Sequence, residues 1–326
     1  MAERFNHVVA VVNPNSTRAD RAGSALVDLA HSDFGRNLVI VTTEDPKTGA
    51  DNVSRIAESI KPDDVVISFG GDGSAFGVLN AIMLARESGI PKDQVSWLLF
   101  NGGNGNDQFH DFYGDTYDIS KDGGPAGLLE TGRLLDIDAI RVTKDLERLY
   151  TTYMGLGTTG LGAVFLEKQR GLRRALPWSH RALDEWLKLK TIIKKGQSDF
   201  SYTDLMAEGE DGELPHIKAQ ELTATTINRM SNGSVRFAET DKGMVVVKMS
   251  PEWFLYRGAI KKLLLENKKG GITGELKDRL LFILESDAPA HFSGETEVIP
   301  KGTVLEIKHM PQLVQVVAPS PLRIAA

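Results

Sequence analysis

A glycine-rich turn that carries one carboxylate is the first feature of the sequence that could do chemistry. The segment FGGDGS covers residues 69–74, follows a short apolar run and precedes a helix-like stretch. Backbone N–H groups in such a turn form an anion site, to which the helix dipole contributes. Because Asp72 would repel a bare phosphate, it indicates a phosphate that arrives with a cation, or a substrate hydroxyl that the carboxylate orients or deprotonates. A tight turn without a chemical role is the simpler alternative.

Two further loops have residue types suited to the same ligand. In FNGGNGND (100–107), Asn104 and Asn106 can donate amide N–H groups to phosphate or ribose, and Asp107 can hold a cation or brace the loop. Asn-Gly pairs alone are ordinary turn chemistry. In NPNST (13–17), Asn13 and Ser16 can contact phosphate, although a serine or threonine there is more often a helix N-cap.

The elements that must position these loops form an alternating pattern in the first 135 residues. Strands are predicted at 7–13, 36–44, 63–69 and 94–101, with amphipathic helices at 18–32, 48–61 and 73–88. Short apolar runs that alternate with longer helical patterns predict βαβ units and a parallel sheet. Ligands of such sheets bind at the carboxyl ends of the strands, where all three loops fall.

After residue 135 the pattern changes to short strands, which predicts an antiparallel β-sandwich. The predicted strands are 133–143, 148–156, 221–229, 234–240, 243–250, 279–286, 303–310 and 313–319, with helices at about 177–195 and 258–270. A chain of 326 residues also exceeds the usual size of one hydrophobic core. We therefore expect a doubly wound α/β domain followed by a β-sandwich domain.

Composition limits the function classes. The chain has no cysteine, no signal-peptide core and no apolar run long enough for a membrane span, so a cytoplasmic protein is expected. A net charge of −6 argues against a nucleic-acid partner. The segment 168–195, however, carries +7 together with leucine and tryptophan side chains. It could contact an anionic membrane, although a solvated helix packed on the domain is the simpler interpretation.

Two other motifs have ordinary explanations. GLGTTG (155–160) matches the dinucleotide pattern G-x-G-x-x-G, but it lies outside the first βαβ unit and no acid follows about 20 residues later. We interpret its glycines as positions of close backbone approach. Glu295, in HFSGETE (291–297), lies in a turn between two strands, where an acid is usually solvated.

These motifs, in this order, resemble the diacylglycerol kinase catalytic-domain family, which includes bacterial lipid kinases and sphingosine and ceramide kinases and is related to NAD kinases and phosphofructokinases. NPNS resembles the family's N-P-x-S-G, FGGDGS its G-G-D-G-T/S, NGGNGND its P-x-G-T-G-N-D, and FSGE its D-G-E. The resemblance implies ATP and Mg²⁺ as cofactors, bound by a first domain of residues 1–135 to which about 310–326 return. It implies a lipid site in a second domain of residues 136–309.

The resemblance also implies roles for individual residues. Asp72 and Glu295 would be catalytic, and Asp241 would lie in the metal segment. The implied nucleotide contacts are Asn13, Ser16, Thr42, Gly70, Gly71, Asp72, Gly73, Ser74, Asn104, Gly105, Asn106 and Asp107.

Three departures from the family pattern affect the expected activity. Ser293 stands where the Asp of D-G-E is expected, a motif to which a catalytic base has been assigned in family members. Asn101 and Asn104 replace the proline and threonine of the second glycine loop, and Asp241, in DKGM, is displaced by one residue from the metal segment D-G-x-L. A general base contributes about 10²–10⁴-fold to a rate, so slow turnover is one expected consequence.

The sequence therefore predicts an ATP-dependent kinase of a diacylglycerol- or sphingoid-like lipid. Two alternatives remain open: a nucleotide-binding regulator that has lost catalysis, marked by Ser293, and a kinase of a soluble acceptor of the NAD-kinase type. The oligomeric state is not fixed by the sequence, and a homodimer is one option.

Overall fold

The structure is a computed structural model that describes residues 5–16, 19–43, 49–102, 106–114, 117–161, 163, 199–207, 212–230, 235–249 and 271–320. The chain divides into two compact units. The first comprises Met1–Ala139, Arg229–Ser234 and Met310–Ala326, and the second comprises Ile140–Asn228 and Val235–His309. The helices predicted at 177–195 and 258–270 and the basic segment 168–195 lie outside the described residues.

The amino-terminal elements alternate strand and helix. They are β1 Val8–Val12, α1 Ala19–His31, β2 Leu38–Thr42, α2 Gly49–Ser59, β3 Asp64–Gly70, α3 Asp72–Glu87, β4 Val95–Asn101, α4 Asp107–Tyr113, α5 Gly124–Thr131 and β5 Arg133–Lys144. Short 3-10 turns cover Asp33–Asn37, Lys92–Gln94 and Ile119–Asp122. The four predicted strands and three predicted helices are all present within a few residues of their expected bounds.

Parallel pairing in the order β2–β1–β3–β4 builds the sheet of the first unit. All seven residues of β3 are buried, as are the first six of β4, because helices pack on a parallel sheet from both sides. The side chains of one face form a core with α1 and α5 that includes Val8, Leu29, Ile67, Leu98 and Leu128. The carboxyl ends of β1, β3 and β4 therefore meet at one edge of the sheet.

The elements of the second unit are mostly strands. They are β6 Glu147–Thr151, β7 Tyr153–Gly157, β8 Phe200–Asp204, β9 His216–Ala219, β10 Glu221–Thr225, β12 Val235–Arg236, β13 Val245–Met249, β14 Glu275–Leu276, β15 Arg279–Leu284, β16 Ala288–Phe292 and β17 Glu295–Ile299, with a 3-10 turn at Thr240–Lys242. One short strand in this part of the sequence, β11 Arg229–Met230, belongs to the first unit. The last element is β18 Val304–Ala318. Six strands form one antiparallel sheet in the order β14–β13–β10–β7–β16–β17. Antiparallel pairs also join β15 to β8 and to the first part of β18, and β8 to β9.

The predicted fold class is confirmed: a sheet with helices is followed by antiparallel sheet structure. Five strands were missed, namely β8, β9, β14, β16 and β17. In β16 the interior proline, Pro289, conceals the strand pattern, since proline cannot donate to a ladder. None of the helices in the described part of the chain is long and apolar enough to cross a membrane.

One long strand replaces the two strands predicted at 303–310 and 313–319. The sequence predicts a boundary between the two strands at Pro311, but β18 continues through this point. Gln312, the next residue, has a positive φ of 48°. The backbone N–H of Gln312 is satisfied by the Asp138 carboxylate at 2.8 Å. Beyond this point β18 pairs in parallel with β4, with Val316 opposite Trp97, so the chain end completes the first unit.

Arg86 fastens this returning strand to α3. Its guanidinium donates to the carbonyls of Leu313 and Lys92, and its Nη1 also contacts the sulfur of Met83 at 3.7 Å. Burial lowers the pKa of Arg86 to about 10, so the group stays charged at neutral pH. Hydrogen bonds from a buried charged donor to backbone carbonyls are among the stronger ones in proteins.

We predict that Arg86→Ala destabilises the protein by about 2–4 kcal/mol, because two backbone carbonyls lose a charged donor. Urea denaturation followed by circular dichroism measures the change. Arg21→Ala, at an exposed position on α1, is the matched control and should change stability by less than about 0.5 kcal/mol. Equal stability of the two variants would contradict the assigned role of Arg86.

Candidate active site

Asp72 links the two glycine loops of the first unit. It is the first residue of α3 and is 8% exposed. Its Oδ2 accepts the backbone N–H of Asp107 at 3.2 Å, and its Oδ1 accepts that of Gln108 at 3.2 Å. These are first-turn amides of α4, for which Asn106 supplies no side-chain cap. The carboxylate of one helix therefore caps the amino terminus of the next.

The backbones of the two loops touch, which explains two of the glycines. The N–H of Gly102 donates to the carbonyl of Gly70 at 2.9 Å. A Cβ on Gly102 would lie 2.9 Å from the backbone of Gly70, and a Cβ on Gly70 would lie 2.0 Å from the hydroxyl of Ser74. Neither space admits a side chain, so glycine is required for this approach.

The NPNS loop joins the same edge of the sheet. Asn13 donates from Nδ2 to the hydroxyl of Ser74 at 3.3 Å, and its Oδ1 accepts the N–H of Asn15 at 2.9 Å. The Ser16 hydroxyl is buried, and the described residues offer it no hydrogen-bond partner. Loops that follow β1, β3 and β4 are thus gathered within hydrogen-bond contact, as the sequence predicted.

The amino terminus of α3 fits an anion. This helix has 16 residues, and Gly71 at its N-cap makes no side-chain capping bond. Its first-turn N–H groups, which include those of Gly73 and Ser74, have no intrahelical acceptor. The Asp72 carboxylate accepts hydrogen bonds from backbone N–H groups of α4. The first-turn N–H groups of α3 can therefore bind an anion. An anion site and a carboxylate can therefore occupy one turn.

The ionisation of Asp72 is strongly perturbed. Burial and then the nearby charge of Asp107 raise its pKa from 3.8 to about 7, while the amide hydrogen bonds from Asp107 and Gln108 oppose the rise. Both protonation states are therefore present near neutral pH, which suits a group that exchanges a proton with substrate.

The other residues predicted to contact nucleotide are Thr42, Asn104, Gly105 and Asn106, and the structure describes two of them. Thr42 ends β2 with an exposed side chain, and its carbonyl accepts from Arg55 at 3.1 Å. Asn106 is buried in a left-handed conformation (φ 53°) immediately before α4. Asn104 and Gly105 lie outside the described residues.

In the second unit, the FSGE segment is a tight hairpin turn between β16 and β17. Ser293 and Gly294 both have positive φ, 41° and 101°. The Ser293 hydroxyl is fully buried, 2.6 Å from that of Thr151. Because Thr151 donates to the carbonyl of Tyr153 at 2.7 Å, it must accept from Ser293. Ser293 therefore acts as a buried donor, and Glu295 follows it, half-buried, at the start of β17.

Two other ionisable residues of this unit bear on the prediction. His291 accepts the N–H of Gly294 through Nε2 at 2.9 Å, and burial lowers its pKa to about 4, so it is neutral at pH 7. Asp241 lies exposed in the 3-10 turn. In the described ranges, no three His, Cys, Asp or Glu side chains are close enough together to hold a metal ion. The metal role of Asp241 stays a prediction.

Glu221 is a buried acid that the sequence analysis missed. Its carboxylate accepts the N–H and the hydroxyl of Thr159, at 2.8 and 2.6 Å, and the hydroxyl of Thr223 at 2.5 Å. Burial raises its pKa to about 7. In the sequence it is one acid at the start of a Thr-rich strand, and no local signal distinguishes it.

The GLGTTG glycines are positions of close approach, as interpreted from the sequence. A Cβ on Gly155 would meet the Thr159 hydroxyl at 1.9 Å, and a Cβ on Gly157 or Gly160 would meet the carbonyl of Gln220 or Pro289 at 2.1 or 2.2 Å. The motif therefore serves packing around a turn that Glu221 holds.

Comparison with known proteins finds a family match for the part of the chain that holds Asp72. Residues 7–141 match the family model described as the diacylglycerol kinase catalytic domain, and this range contains Asp72 and all three loops. The resemblance seen in the motifs is thereby confirmed for this part of the chain.

Solved structures extend the likeness to the whole fold. A diacylglycerol kinase from Bacillus anthracis str. Sterne is 16% identical, with a TM-score of 0.63, and a putative diacylglycerol kinase from the same strain is 15% identical, with a TM-score of 0.59. Each alignment covers 98% of this chain and 99% of the other. At this identity the likeness shows the fold alone. No curated protein matched the chain.

The buried carboxyl group of Asp72 should make the stability of the protein depend on pH. Its pKa in the folded protein lies above that in the unfolded chain, so the unfolded chain releases this proton first as the pH rises. The stabilisation is complete below about pH 4 and is lost as the pH rises to about 7. We predict that Asp72→Asn reduces this loss by about 1–3 kcal/mol, measured by urea denaturation at a series of pH values.

Asp28→Asn, at an exposed position on α1, is the control and should leave the pH dependence as it is in the parent protein. A pH dependence that Asp72→Asn fails to alter would show that Asp72 ionises normally.

Proposed function

We propose that the protein is an ATP-dependent lipid kinase that transfers the γ-phosphate to a hydroxyl of a diacylglycerol- or sphingoid-like lipid. The observation that carries this proposal is the joining of two glycine loops by Asp72, in a range that matches a kinase catalytic domain. The acceptor class is taken from the family and from the names of the two structural neighbours.

The first unit supplies a fitting site for the phosphates of ATP. The uncapped amides at the start of α3 would bind phosphate oxygens, and Gly71, which has no side chain, would let the ligand approach the backbone. Asn13 and Ser74, already hydrogen-bonded to each other, would fix the edge of this anion site.

Mg²⁺, when bound, would supply positive charge that neutralises the negative charge developing during transfer. Such an ion commonly binds through substrate phosphates, so its use does not require a preformed cluster of three ligands. We therefore expect Mg²⁺ to arrive with the nucleotide.

Asp72 would act on the acceptor hydroxyl. A carboxylate with a pKa of about 7 is ionised often enough at neutral pH to accept a proton and basic enough to hold it. Hydrogen bonds from α4 fix its orientation, so the group needs little reorganisation during the reaction. Glu295 is proposed to assist from the second unit.

Ser293 is the observation that favours a slower enzyme. Its hydroxyl donates within a buried pair with Thr151 and cannot serve as a base near neutral pH. Phosphoryl transfer depends mainly on positioning and electrostatic stabilisation, so a domain without that base can still be active. The same feature supports the second candidate, a nucleotide-binding regulator without catalysis.

The deciding experiment measures transfer of the γ-phosphate from labelled ATP to diacylglycerol or sphingosine in mixed micelles with Mg²⁺. We expect transfer by the parent protein, and a loss of about 10²–10⁴-fold in Asp72→Asn, because the acceptor loses its base. Asp28→Asn should transfer at the parent rate.

Calorimetry with ATP distinguishes the alternatives. Nucleotide binding without transfer to any lipid would favour the regulator, and transfer only to water-soluble acceptors would favour a soluble-substrate kinase. Absence of ATP binding would refute all three. Contact of residues 168–195 with an anionic membrane, and a homodimeric state, stay predictions.

A further inference from the structure

A small, partly open cavity is lined by residues of the two glycine loops. Its walls include Ser68 and Phe100 from the sheet, Asp72 from α3, and Asn106 and Phe109 from the second loop and α4. Its volume of about 10 Å³ is near the smallest that holds one water molecule. An apolar cavity of this size would be dry, but this one has a carboxylate and a hydroxyl in its walls.

Ser68 has a hydrogen-bonding capacity that the protein leaves unused. Its side chain is 1% exposed, and its oxygen accepts the indole N–H of Trp97 at 3.3 Å. Among the described residues, its own hydroxyl proton makes no hydrogen bond. A buried polar hydrogen without a partner is costly, so an acceptor in the cavity is expected.

Asp72 has the complementary capacity. An ionised carboxylate offers about four acceptor positions, and backbone N–H groups at the start of α4 use three of them, those of Asn106, Asp107 and Gln108. A water molecule between Ser68 and Asp72 would accept from the hydroxyl and donate to the carboxylate. Buried waters generally make two to four such bonds.

We propose that this cavity binds one ordered water molecule between Ser68 and Asp72, which makes Ser68 a positioning residue for the carboxylate that joins the two loops. The proposal deepens the proposed function, because it concerns the group assigned to the acceptor hydroxyl. It rests on the geometry of the first unit, and it holds whichever acceptor is used.

Few charged groups surround the proposed water position. Asp72 reaches it from α3 and Asp107 lies beside it on α4, while the cavity walls from β3 and β4 are uncharged side chains and backbone. A water that donates to Asp72 stabilises its ionised form against both burial and the charge of Asp107. Removal of the Ser68 hydroxyl should therefore destabilise the protein more when Asp72 is ionised.

The direct test is a high-resolution crystal structure of the full chain. We expect one ordered solvent peak within hydrogen-bond distance of both the Ser68 hydroxyl and the Asp72 carboxylate. No peak there, or a Ser68 hydroxyl turned toward a protein acceptor, would overturn the proposal.

The second test compares the melting temperatures of Ser68→Ala and Ser96→Ala at about pH 5.5 and pH 8.5. Ser96 is a buried serine on the neighbouring strand β4 and does not line the cavity. We expect the loss caused by Ser68→Ala to be about 2–4 °C larger at the higher pH, because only ionised Asp72 needs the donated bond, and the loss caused by Ser96→Ala to be the same at both.

Equal losses at both pH values in Ser68→Ala would refute the positioning role. If Ser68→Ala is too unstable to measure, the presence or absence of the solvent peak in the crystal structure tests the proposal. Neither measurement uses ATP or an acceptor, so failure here is distinguishable from failure of the proposed kinase activity.

Discussion

The hydrogen bonds from the first-turn amides of α4 to the carboxylate of Asp72 are the interaction on which the site depends. A buried carboxylate is costly in a protein interior, and its cost falls only when fixed dipoles replace the lost water. Here the amino terminus of α4 supplies those dipoles, and the same bonds fix the distance between the two glycine loops. One side chain thus sets both the electrostatics and the shape of the candidate site.

Backbone contacts make that arrangement specific. A backbone hydrogen bond joins Gly102 to Gly70 and is lost if the loops separate, and a side chain on Gly102 would collide with the backbone of Gly70. The sheet beneath is completed on the far side of β4 by the end of β18, which Arg86 fastens to α3. The residues that hold the loops are therefore supported by a strand from the far end of the chain.

The second unit contains a tight turn in which the side chain at position 293 is a buried hydroxyl and not a carboxylate. The hairpin at Ser293 and Gly294 keeps the two positive φ values that Asp-Gly turns commonly adopt, so the backbone shape does not require a carboxylate. Thr151 accepts from the Ser293 hydroxyl and passes a hydrogen bond to the carbonyl of Tyr153, a chain that suits a donor at position 293. The backbone geometry of this turn is therefore compatible with Ser293, whose hydroxyl acts there as a hydrogen-bond donor.

Local sequence determined the parallel α/β pattern, the antiparallel character of the later strands and the three loops, because strand and helix periodicity and glycine turns are short-range signals. It did not determine that β18 is one strand, since Pro311 and Gln312 look like a boundary until Asp138 satisfies the backbone there. Nor could it reveal the partners of Asp72, the buried hydroxyl of Ser293, or Glu221. Burial and hydrogen-bond partners come from residues distant in sequence, so only the tertiary structure decided which acids are perturbed and which glycines are needed for contact.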